Sequence, residues 1–342
     1  MRIEILDDSL HEAYDAYLLS QPAGMLYQSS RFKGFLKALL GCEESFLVAL
    51  EGGDIRGVLP LMKMKREIGQ VYNALPFYGS NAGVLTDSCE AYQSLADAYN
   101  ELIRSAGTLA STLITNPLLP QDGSGIAYHY TSSRIGQFTD LSPLWGKDWD
   151  GVMNHFDPSI RWDVKKAISK GIQVEIDVSH MDRLREMHQE NMVRVGVPAK
   201  SDAFFAGVPH YFKPDDYNLY VAKLDGEVIS ALLAFYFNRT AEYYVPATDV
   251  NYRSLQPSSL VLMRAIADAA TRGFQWWNWG GTQPNLTGVY HFKRKWAGVD
   301  RPYTYYTYVN DEALLDMSPA AIGQNFPNFF VVPFSALKQG VS

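Results

Sequence analysis

The chain has 342 residues, which is enough for two domains of ordinary size, because single hydrophobic cores stop growing well below that length. Hydrophobic residues make up 47%, charged residues 20% and aromatic residues 13%, a composition that excludes a disordered chain. The formal net charge of −7 argues against a protein that coats DNA, since such binding requires many cations at the phosphates.

The N-terminus carries acidic residues where a secretory signal needs a basic segment followed by an apolar run. No stretch approaches the roughly 18 consecutive apolar residues of a membrane span. The two cysteines, Cys42 and Cys89, lack the CxxC spacing of a redox or metal site. We therefore expect a cytoplasmic protein with reduced thiols and no integral membrane segment.

The first predicted elements are a hairpin, a helix and a strand. Residues 46–61 alternate apolar and polar positions on both sides of Gly52-Gly53, which predicts two antiparallel strands joined by a tight turn. A helical period runs from 92 to 106 and stops at Gly107, and a strand-like segment follows at 108–114.

The second half repeats this order of elements. Residues 219–234 predict a hairpin around Asp225-Gly226, residues 259–272 predict a helix that stops at Gly273, and residues 274–279 predict a strand. A repeat of this length indicates a duplicated domain and not a solenoid, whose units are far shorter. Helices and antiparallel hairpins in this order are typical of an α/β (α+β) fold with mixed sheets.

Turn-forming residues are concentrated between 142 and 157, ahead of a basic helix that begins near Ser159. We place the first domain at 1–146 and the second at 147–311. The tail, 312–342, is too apolar to remain in solvent, and we expect it to pack back on the first domain.

Four segments spread over nearly the whole chain carry a further pattern. They are Tyr27-Gln-Ser-Ser-Arg-Phe, residues 57–61 with 75–83, residues 160–175, and Trp279-Gly-Gly-Thr followed by residues 290–298. In this order they resemble the Fem family, the aminoacyltransferases of peptidoglycan bridges. The resemblance implies two tandem GNAT-like acyltransferase domains and a role in cell wall biogenesis. The chain has no long heptad segment, so it resembles compact members without a coiled-coil arm.

The segment Phe292-Lys-Arg-Lys-Trp sets three cations between two aromatic residues. In aminoacyl transfer an amine attacks an ester carbonyl, and a positioned cation stabilises the negative charge that builds on the carbonyl oxygen. The resemblance assigns this catalytic role to Lys293, with Phe292 beside the substrate. A solvated basic turn is the alternative interpretation of the same residues.

The basic helix places Arg161, Lys165, Lys166 and Lys170 at helical spacings. Such a face suits the diphosphate of a nucleotide-linked precursor, because phosphates bind both cationic side chains and helix N-termini. A solvated helix face is the alternative. The resemblance favours Arg161 and Arg31 as contacts to the acceptor's phosphate or peptide, with Lys165 on the same face as Arg161.

Three further positions are candidates for substrate binding. Tyr244 and Tyr290 stand out among many aromatic residues as hydroxyl donors, although most tyrosines of a sheet fill its core. Gly281 follows Gly280, and the pair permits a close backbone approach at the border of a cleft.

No metal and no cofactor are expected. The seven histidines lack metal-binding spacings. Coenzyme A would need a glycine-rich loop whose amides hold its pyrophosphate, but Arg253-Ser-Leu-Gln-Pro-Ser-Ser-Leu stands at that position, without either glycine. Pro257 also removes one backbone donor, so the usual mode of CoA binding is not expected.

The leading hypothesis is a transferase that forms an amide between an activated acyl donor, aminoacyl-tRNA by resemblance, and an amine of a nucleotide- or lipid-linked envelope precursor. Two alternatives stay open. One is an N-acyltransferase that uses acyl-CoA or an acyl carrier and acts on a sugar amine of an exopolysaccharide. The other is a protein that binds an envelope precursor without catalysis.

Overall fold

A computed structural model describes residues 1–77, 81–119, 123–282 and 287–338, so residues 78–80 of the second Fem-like segment lie outside the described residues. The chain forms two compact units. The first contains Met1–Arg134 and Pro302–Ser342, and the second contains Ile135–Arg301. The boundaries at 146/147 and 311/312 stay predictions of where the functional domains end.

The described residues contain ten α-helices and fourteen strands. The helices are α1 His11–Ser20, α2 Ser30–Leu40, α3 Cys89–Ile103, α4 Trp149–His155, α5 Pro158–Ser169, α6 Met181–Val195, α7 Asp202–Tyr211, α8 Pro257–Thr271, α9 Thr287–Lys295 and α10 Pro319–Asn325. The strands are β1 Arg2–Ile5, β2 Glu43–Glu44, β3 Leu47–Glu51, β4 Asp54–Leu59, β5 Met62–Arg66, β6 Gly69–Asn73, β7 Thr108–Ile114, β8 Tyr130–Asp140, β9 Gln173–Ile176, β10 Tyr217–Leu224, β11 Glu227–Phe237, β12 Thr240–Thr248, β13 Trp276–Thr282 and β14 Val299–Val309.

The first unit contains a small sheet in the order β1-β3-β4 and five further hydrogen-bonded strands in the order β2-β5-β6-β7-β14. Strands β3 and β4 pair antiparallel across Gly52-Gly53, which confirms the first predicted hairpin. Strands β6 and β7 run parallel, and α3 connects them. The C-terminal segment reaches these strands, because the Asn73 Nδ2 amide donates to the Phe330 carbonyl at 2.7 Å.

The second unit is built on six hydrogen-bonded strands in the order β8-β13-β12-β11-β10-β9. Strands β10 and β11 form the second predicted hairpin, at Asp225-Gly226. Strands β12 and β13 run parallel, and α8 connects them. Each unit therefore contains a parallel strand pair joined by one helix, which is the structural counterpart of the sequence repeat.

The core of the second unit lies where α5 and α8 pack against the sheet. Trp277 and Trp296 are fully buried in it. The Asp157 side chain caps the N-terminus of α5 by accepting a hydrogen bond from the Ser159 N–H at 2.8 Å. Pro158 suits the first helical position, because a backbone N–H there would have no partner within the helix.

The helix predicted at 259–272 is α8, and the strand predicted from Phe274 begins at Trp276 instead. Gly273 adopts a φ of +83°, in the left-handed region that favours glycine. This turn lets the Phe274 N–H donate to the Ala269 carbonyl at 3.0 Å. Phe274 therefore belongs to the C-terminal cap of the helix and not to the strand. Within the described residues, no helix has the length and apolar character needed to cross a bilayer.

Candidate active site

Strands β12 and β13 separate partway along their length and form a fork. They pair only over Thr240–Glu242 and Trp276–Asn278, although both strands continue beyond these residues. The Glu242 and Asn278 side chains are buried at the last paired position. There the Asn278 Nδ2 amide donates to the Glu242 Oε2 carboxylate oxygen at 2.7 Å. A buried polar pair thus marks the point where the strands diverge.

Asn278 also fixes the glycine turn that follows it. Its Oδ1 oxygen accepts a hydrogen bond from the Gly280 N–H at 2.8 Å. Gly280 has a φ of +71°, and nothing lies within 4 Å of the position that a Cβ would take, so backbone conformation is the reason for glycine here. The turn presents the carbonyls of Gly280 and Gly281 to α9.

Lys293 lies on α9, and its side chain is only 5% exposed. Its Nζ ammonium donates to the Thr282 Oγ1 hydroxyl at 2.8 Å, to the Gly281 carbonyl at 3.2 Å and to the Gly280 carbonyl at 3.4 Å. Burial lowers the pKa of Lys293 from 10.5 to about 8, because desolvation disfavours the charged form. The solvated basic turn considered for this segment is therefore not what forms: the segment is helical, and Lys293 is its one buried residue while Arg294 and Lys295 are exposed.

The geometry around Lys293 is suited to stabilising developing negative charge. An ammonium with this pKa is still mostly protonated at neutral pH, and it lies in surroundings where water screens charge weakly. Its three N–H bonds have three acceptors, of which the Gly280 carbonyl is the most distant. A substrate oxyanion can replace this weakest bond, while Thr282 and Gly281 keep the nitrogen in place.

A cavity of about 450 Å³ opens in the second unit beside the fork. Phe292, the residue before Lys293, lines it and is 37% exposed. The Trp279 ring packs against the rings of two residues that line the cavity, with ring centres 6.0 Å from Phe292 and 5.2 Å from Tyr243. Polar residues line the cavity from four elements, α6, β11, β12 and α8, and from the segment before α8: Asn191, Ser230, Thr248, Arg253, Gln256 and Ser258. A mixed apolar and polar cavity thus borders the helix that carries Lys293.

The residues at the start of α8 do not fit the usual pyrophosphate site of CoA. Gln256 takes the left-handed conformation, with a φ of +62°, and Pro257 supplies no N–H. The Ser259 N–H already donates to the Gln256 carbonyl at 3.2 Å, and Arg253 donates to Asn191 Oδ1 at 2.8 Å. Few backbone donors are left for a diphosphate at this helix N-terminus.

Tyr290 and Tyr244 have different surroundings. Tyr290 lies on α9, one turn before Lys293, and its hydroxyl donates to Asp300 Oδ2 at 2.9 Å. Tyr244 lies on β12, where its ring stacks on Phe204 and meets Phe235 edge-on, and its hydroxyl is buried. Of these two tyrosines, Tyr290 is the one that shares a helix with Lys293. The substrate-binding roles of Tyr290 and Tyr244 stay predictions.

The cationic residues of α5 form an exposed face. Lys165 and Lys170 are exposed, and Arg161 is half-buried with its Nη1 donating to Asn154 Oδ1 at 3.1 Å. Trp162 is 61% exposed, and the Lys166 Nζ lies 4.9 Å from its ring centre. Arg31 belongs to the other unit, on α2, where it is half-buried.

Sequence reasoning did not identify three side chains that hold the site together, namely Asn278, Thr282 and Gln137. Thr282 is the last residue of the quoted Trp279-Gly-Gly-Thr motif and Asn278 directly precedes it, so their proximity to the glycine turn was available as a signal. Gln137 lies on β8, and no local pattern connects it with α9. Among the described residues, Glu175, Asp177 and His180 come close enough together to bind a cation, but Lys223 already forms ion pairs with both carboxylates.

The Asn278 contacts give a stability prediction. Replacing Asn278 with alanine should lower the free energy of unfolding by about 2 kcal/mol, because the buried Glu242 carboxylate loses a donor and the Gly280 N–H loses its acceptor. Denaturant unfolding measures the change, with the exposed Asn251→Ala as a control expected within about 0.5 kcal/mol of wild type. Equal stability of the two variants would show that the fork does not depend on this amide.

Comparison with known proteins is consistent with the geometry. A family model described as an acetyltransferase (GNAT) domain matches residues 164–294, within the second unit. A crystal structure of FemX is similar over 92% of this chain and 98% of its own, with a TM-score of 0.74 and 16% identity. No curated protein sequence matches the chain.

Two other solved structures are similar to the chain in fold. The C-terminal domain of a putative lysylphosphatidylglycerol synthetase from Agrobacterium fabrum is similar over 95% of this chain and 98% of its own, with a TM-score of 0.58 and 13% identity. A tandem GNAT protein from the clavulanic acid biosynthesis pathway is similar over 90% of this chain and 99% of its own, with a TM-score of 0.51 and 11% identity. The acetyltransferase (GNAT) model over residues 164–294, together with this fold, supports an acyltransferase. The chain has the FemX-like tandem GNAT fold that the sequence motifs predicted.

Proposed function

We propose that the protein transfers an aminoacyl group from aminoacyl-tRNA to an amine of a cell-envelope precursor in the cytoplasm. The observation that carries the proposal is the Lys293 ammonium, which is buried at the end of β13 and lies on the helix that borders the cavity. The FemX-like fold supports the same chemistry. The poor fit of the α8 N-terminus to CoA favours an ester donor without a CoA diphosphate.

The reaction forms one C–N bond and breaks one C–O bond. The acceptor amine attacks the ester carbonyl carbon, and the carbonyl electron pair moves onto oxygen beside Lys293. When this tetrahedral oxyanion collapses, the ribose oxygen of the tRNA leaves and takes up the proton that the amine gives up. The protein side chains supply positioning and charge stabilisation, with the donor and the acceptor held together in one complex.

The acceptor carries anionic groups if it is a nucleotide- or lipid-linked precursor, and the cationic face of α5 suits them. Arg161 provides a planar fork for phosphate oxygens, and Lys165 adds a flexible point charge one turn later. Arg31 on α2 is proposed as a second contact to the acceptor. In a chain of net charge −7, this face is a local exception that fits an anionic ligand.

The role of α5 can be tested by charge removal. The double variant Arg161→Ala/Lys165→Ala should raise the KM for a diphosphate-linked acceptor about tenfold and leave kcat within about twofold of wild type. The reason is that it weakens binding of the acceptor in the ground state and in the transition state equally. Steady-state kinetics at two salt concentrations measure the effect, which should shrink at high salt. Lys213→Ala, at an exposed lysine of the same unit, is the control. An unchanged KM would remove α5 from the acceptor site.

The direct test of the function is reconstitution with purified components. The protein is mixed with charged tRNA and a UDP-linked muropeptide, and the product is identified by mass spectrometry. A precursor heavier by one aminoacyl residue is expected. Formation of product with acetyl-CoA and a sugar amine, but with no charged tRNA, would favour the N-acyltransferase alternative instead.

Calorimetry separates the binding alternatives. Titration with charged tRNA should give a saturable heat, and titration with acetyl-CoA should give none, given the start of α8. If the protein only binds a precursor, the Lys293→Met variant should bind that precursor as well as the wild type does, and the wild-type protein should yield no product with any donor. These two results together would contradict an enzymatic role.

A further inference from the structure

Two buried polar side chains beyond Lys293 need an explanation, because burying a polar group without a partner is unfavourable. Gln137 on β8 is 0% exposed, and Thr282 at the end of β13 is 3% exposed. They are bonded to each other, since Thr282 Oγ1 donates to Gln137 Oε1 at 2.9 Å. Thr282 in turn accepts the shortest hydrogen bond of the Lys293 ammonium, at 2.8 Å.

The direction of each hydrogen bond between Lys293, Thr282 and Gln137 is fixed by chemistry. An ammonium can only donate, so the Thr282 oxygen accepts from Lys293. The threonine has one hydroxyl hydrogen left, and the amide oxygen Oε1 of Gln137 can only accept it. The two hydrogen bonds therefore have a single arrangement, in which the ammonium hydrogen points to Thr282 and the Thr282 hydroxyl hydrogen points to Gln137.

The far end of Gln137 is also tied to the site. Its Nε2 amide lies 3.5 Å from the Tyr290 carbonyl on α9 and 3.5 Å from Asp300 Oδ1. The other carboxylate oxygen of Asp300 accepts from the Tyr290 hydroxyl at 2.9 Å. Both contacts orient the amide so that Oε1, and not Nε2, faces Thr282. A relay thus runs from Asp300 through Gln137 and Thr282 to Lys293.

We propose that Thr282 and Gln137 are positioning residues for the reaction, which hold the Lys293 ammonium in its place and in its charged form for the oxyanion. This inference rests on the proposed catalytic role of Lys293. A hydroxyl at this position is not required for packing, because valine has nearly the same shape as threonine. What valine cannot do is accept a hydrogen bond from an ammonium that burial already disfavours.

The surrounding charges do not replace this contact. In the described part of the chain no carboxylate contacts the Lys293 Nζ. Glu242 on β12 is separated from it by Asn278 and the glycine turn, and Asp300 is separated by the relay itself. Arg294 and Lys295 on α9 are exposed cations, which disfavour a further positive charge. The Thr282 oxygen is thus the nearest group that favours the protonated lysine.

The test is the titration of Lys293 in the full-length protein, followed by NMR of ¹³Cε-labelled lysine and assigned with Lys293→Arg. The wild-type midpoint should lie near pH 8. Thr282→Val should lower it by about one pH unit, since a hydrogen bond to a charged group is lost. Gln137→Leu should lower it by about half as much, because the threonine hydroxyl is then free to turn. Thr282→Ser keeps the hydroxyl and should keep the midpoint.

Turnover gives the second readout. Thr282→Val should lower kcat about tenfold with KM within about twofold, and Thr282→Ser should restore it. An unmoved midpoint in both Thr282→Val and Gln137→Leu would overturn the positioning role, even if kcat fell. If Lys293→Met kept full turnover, the proposed function would fail instead, whatever the titrations gave. The two failures are therefore distinguishable.

Discussion

Replacing Lys293 with methionine should lower kcat by on the order of a hundredfold, because the buried ammonium is the group assigned to the oxyanion. Methionine fills a similar volume without charge, so the loss would reflect charge and not shape. The measurement is steady-state transfer to the acceptor, with the exposed Lys213→Met as a matched control expected to keep wild-type turnover. KM should change little, since the oxyanion exists only in the transition state.

The same substitution should not unfold the protein. A pKa lowered from 10.5 to about 8 means that burying the ammonium costs about 3 kcal/mol at neutral pH, at roughly 1.4 kcal/mol per unit. Methionine removes this cost, so the variant should melt at or above the wild-type temperature. A variant that is inactive and also less stable would suggest a structural role for the lysine. An active variant would refute the catalytic assignment.

Turnover should fall at alkaline pH, by about tenfold per unit above pH 8 and about a hundredfold by pH 10. The sign follows from the chemistry, because only the protonated lysine stabilises an oxyanion, and burial brings its pKa to about 8. Unfolding does not explain the fall. The folded pKa is depressed below the unfolded one, so this group's contribution to stability improves between pH 8 and 10.5.

The acceptor amine titrates as well and adds a rising limb to the pH profile. A Lys293→Arg variant separates the two effects, since its guanidinium stays charged throughout the range. The alkaline fall in kcat should disappear from the residual activity of that variant, while the rising limb remains. A fall that persists in Lys293→Arg must come from another group and would contradict the assignment.

The parts of the fold that could be predicted are those with local signals. Gly52-Gly53 and Asp225-Gly226 sit between short alternating segments, and both form the turns of hairpins. Gly273 ends the apolar period of α8, and the helix stops beside it. Each of these depends on contacts within a few residues, which a sequence pattern records directly.

The parts that could not be predicted depend on distant pairing. Gln137 and Thr282 meet only because β8 lies beside β13 in the sheet, and Gln137 reaches α9 for the same reason. The likeness to the Fem family pointed to Lys293 as a residue but not to what holds it. The buried environment of its ammonium comes from the fork between β12 and β13, where the pairing stops at Asn278.

Mass spectrometry of envelope precursors tests the central claim most directly, on cells that carry the wild-type gene, no gene, or the Lys293→Met gene. With the wild-type gene, one precursor should be heavier by the mass of a single acyl or aminoacyl residue, and that species should be missing from the other two cell lines. Identical precursor masses in all three would contradict an acyl transfer that depends on this lysine.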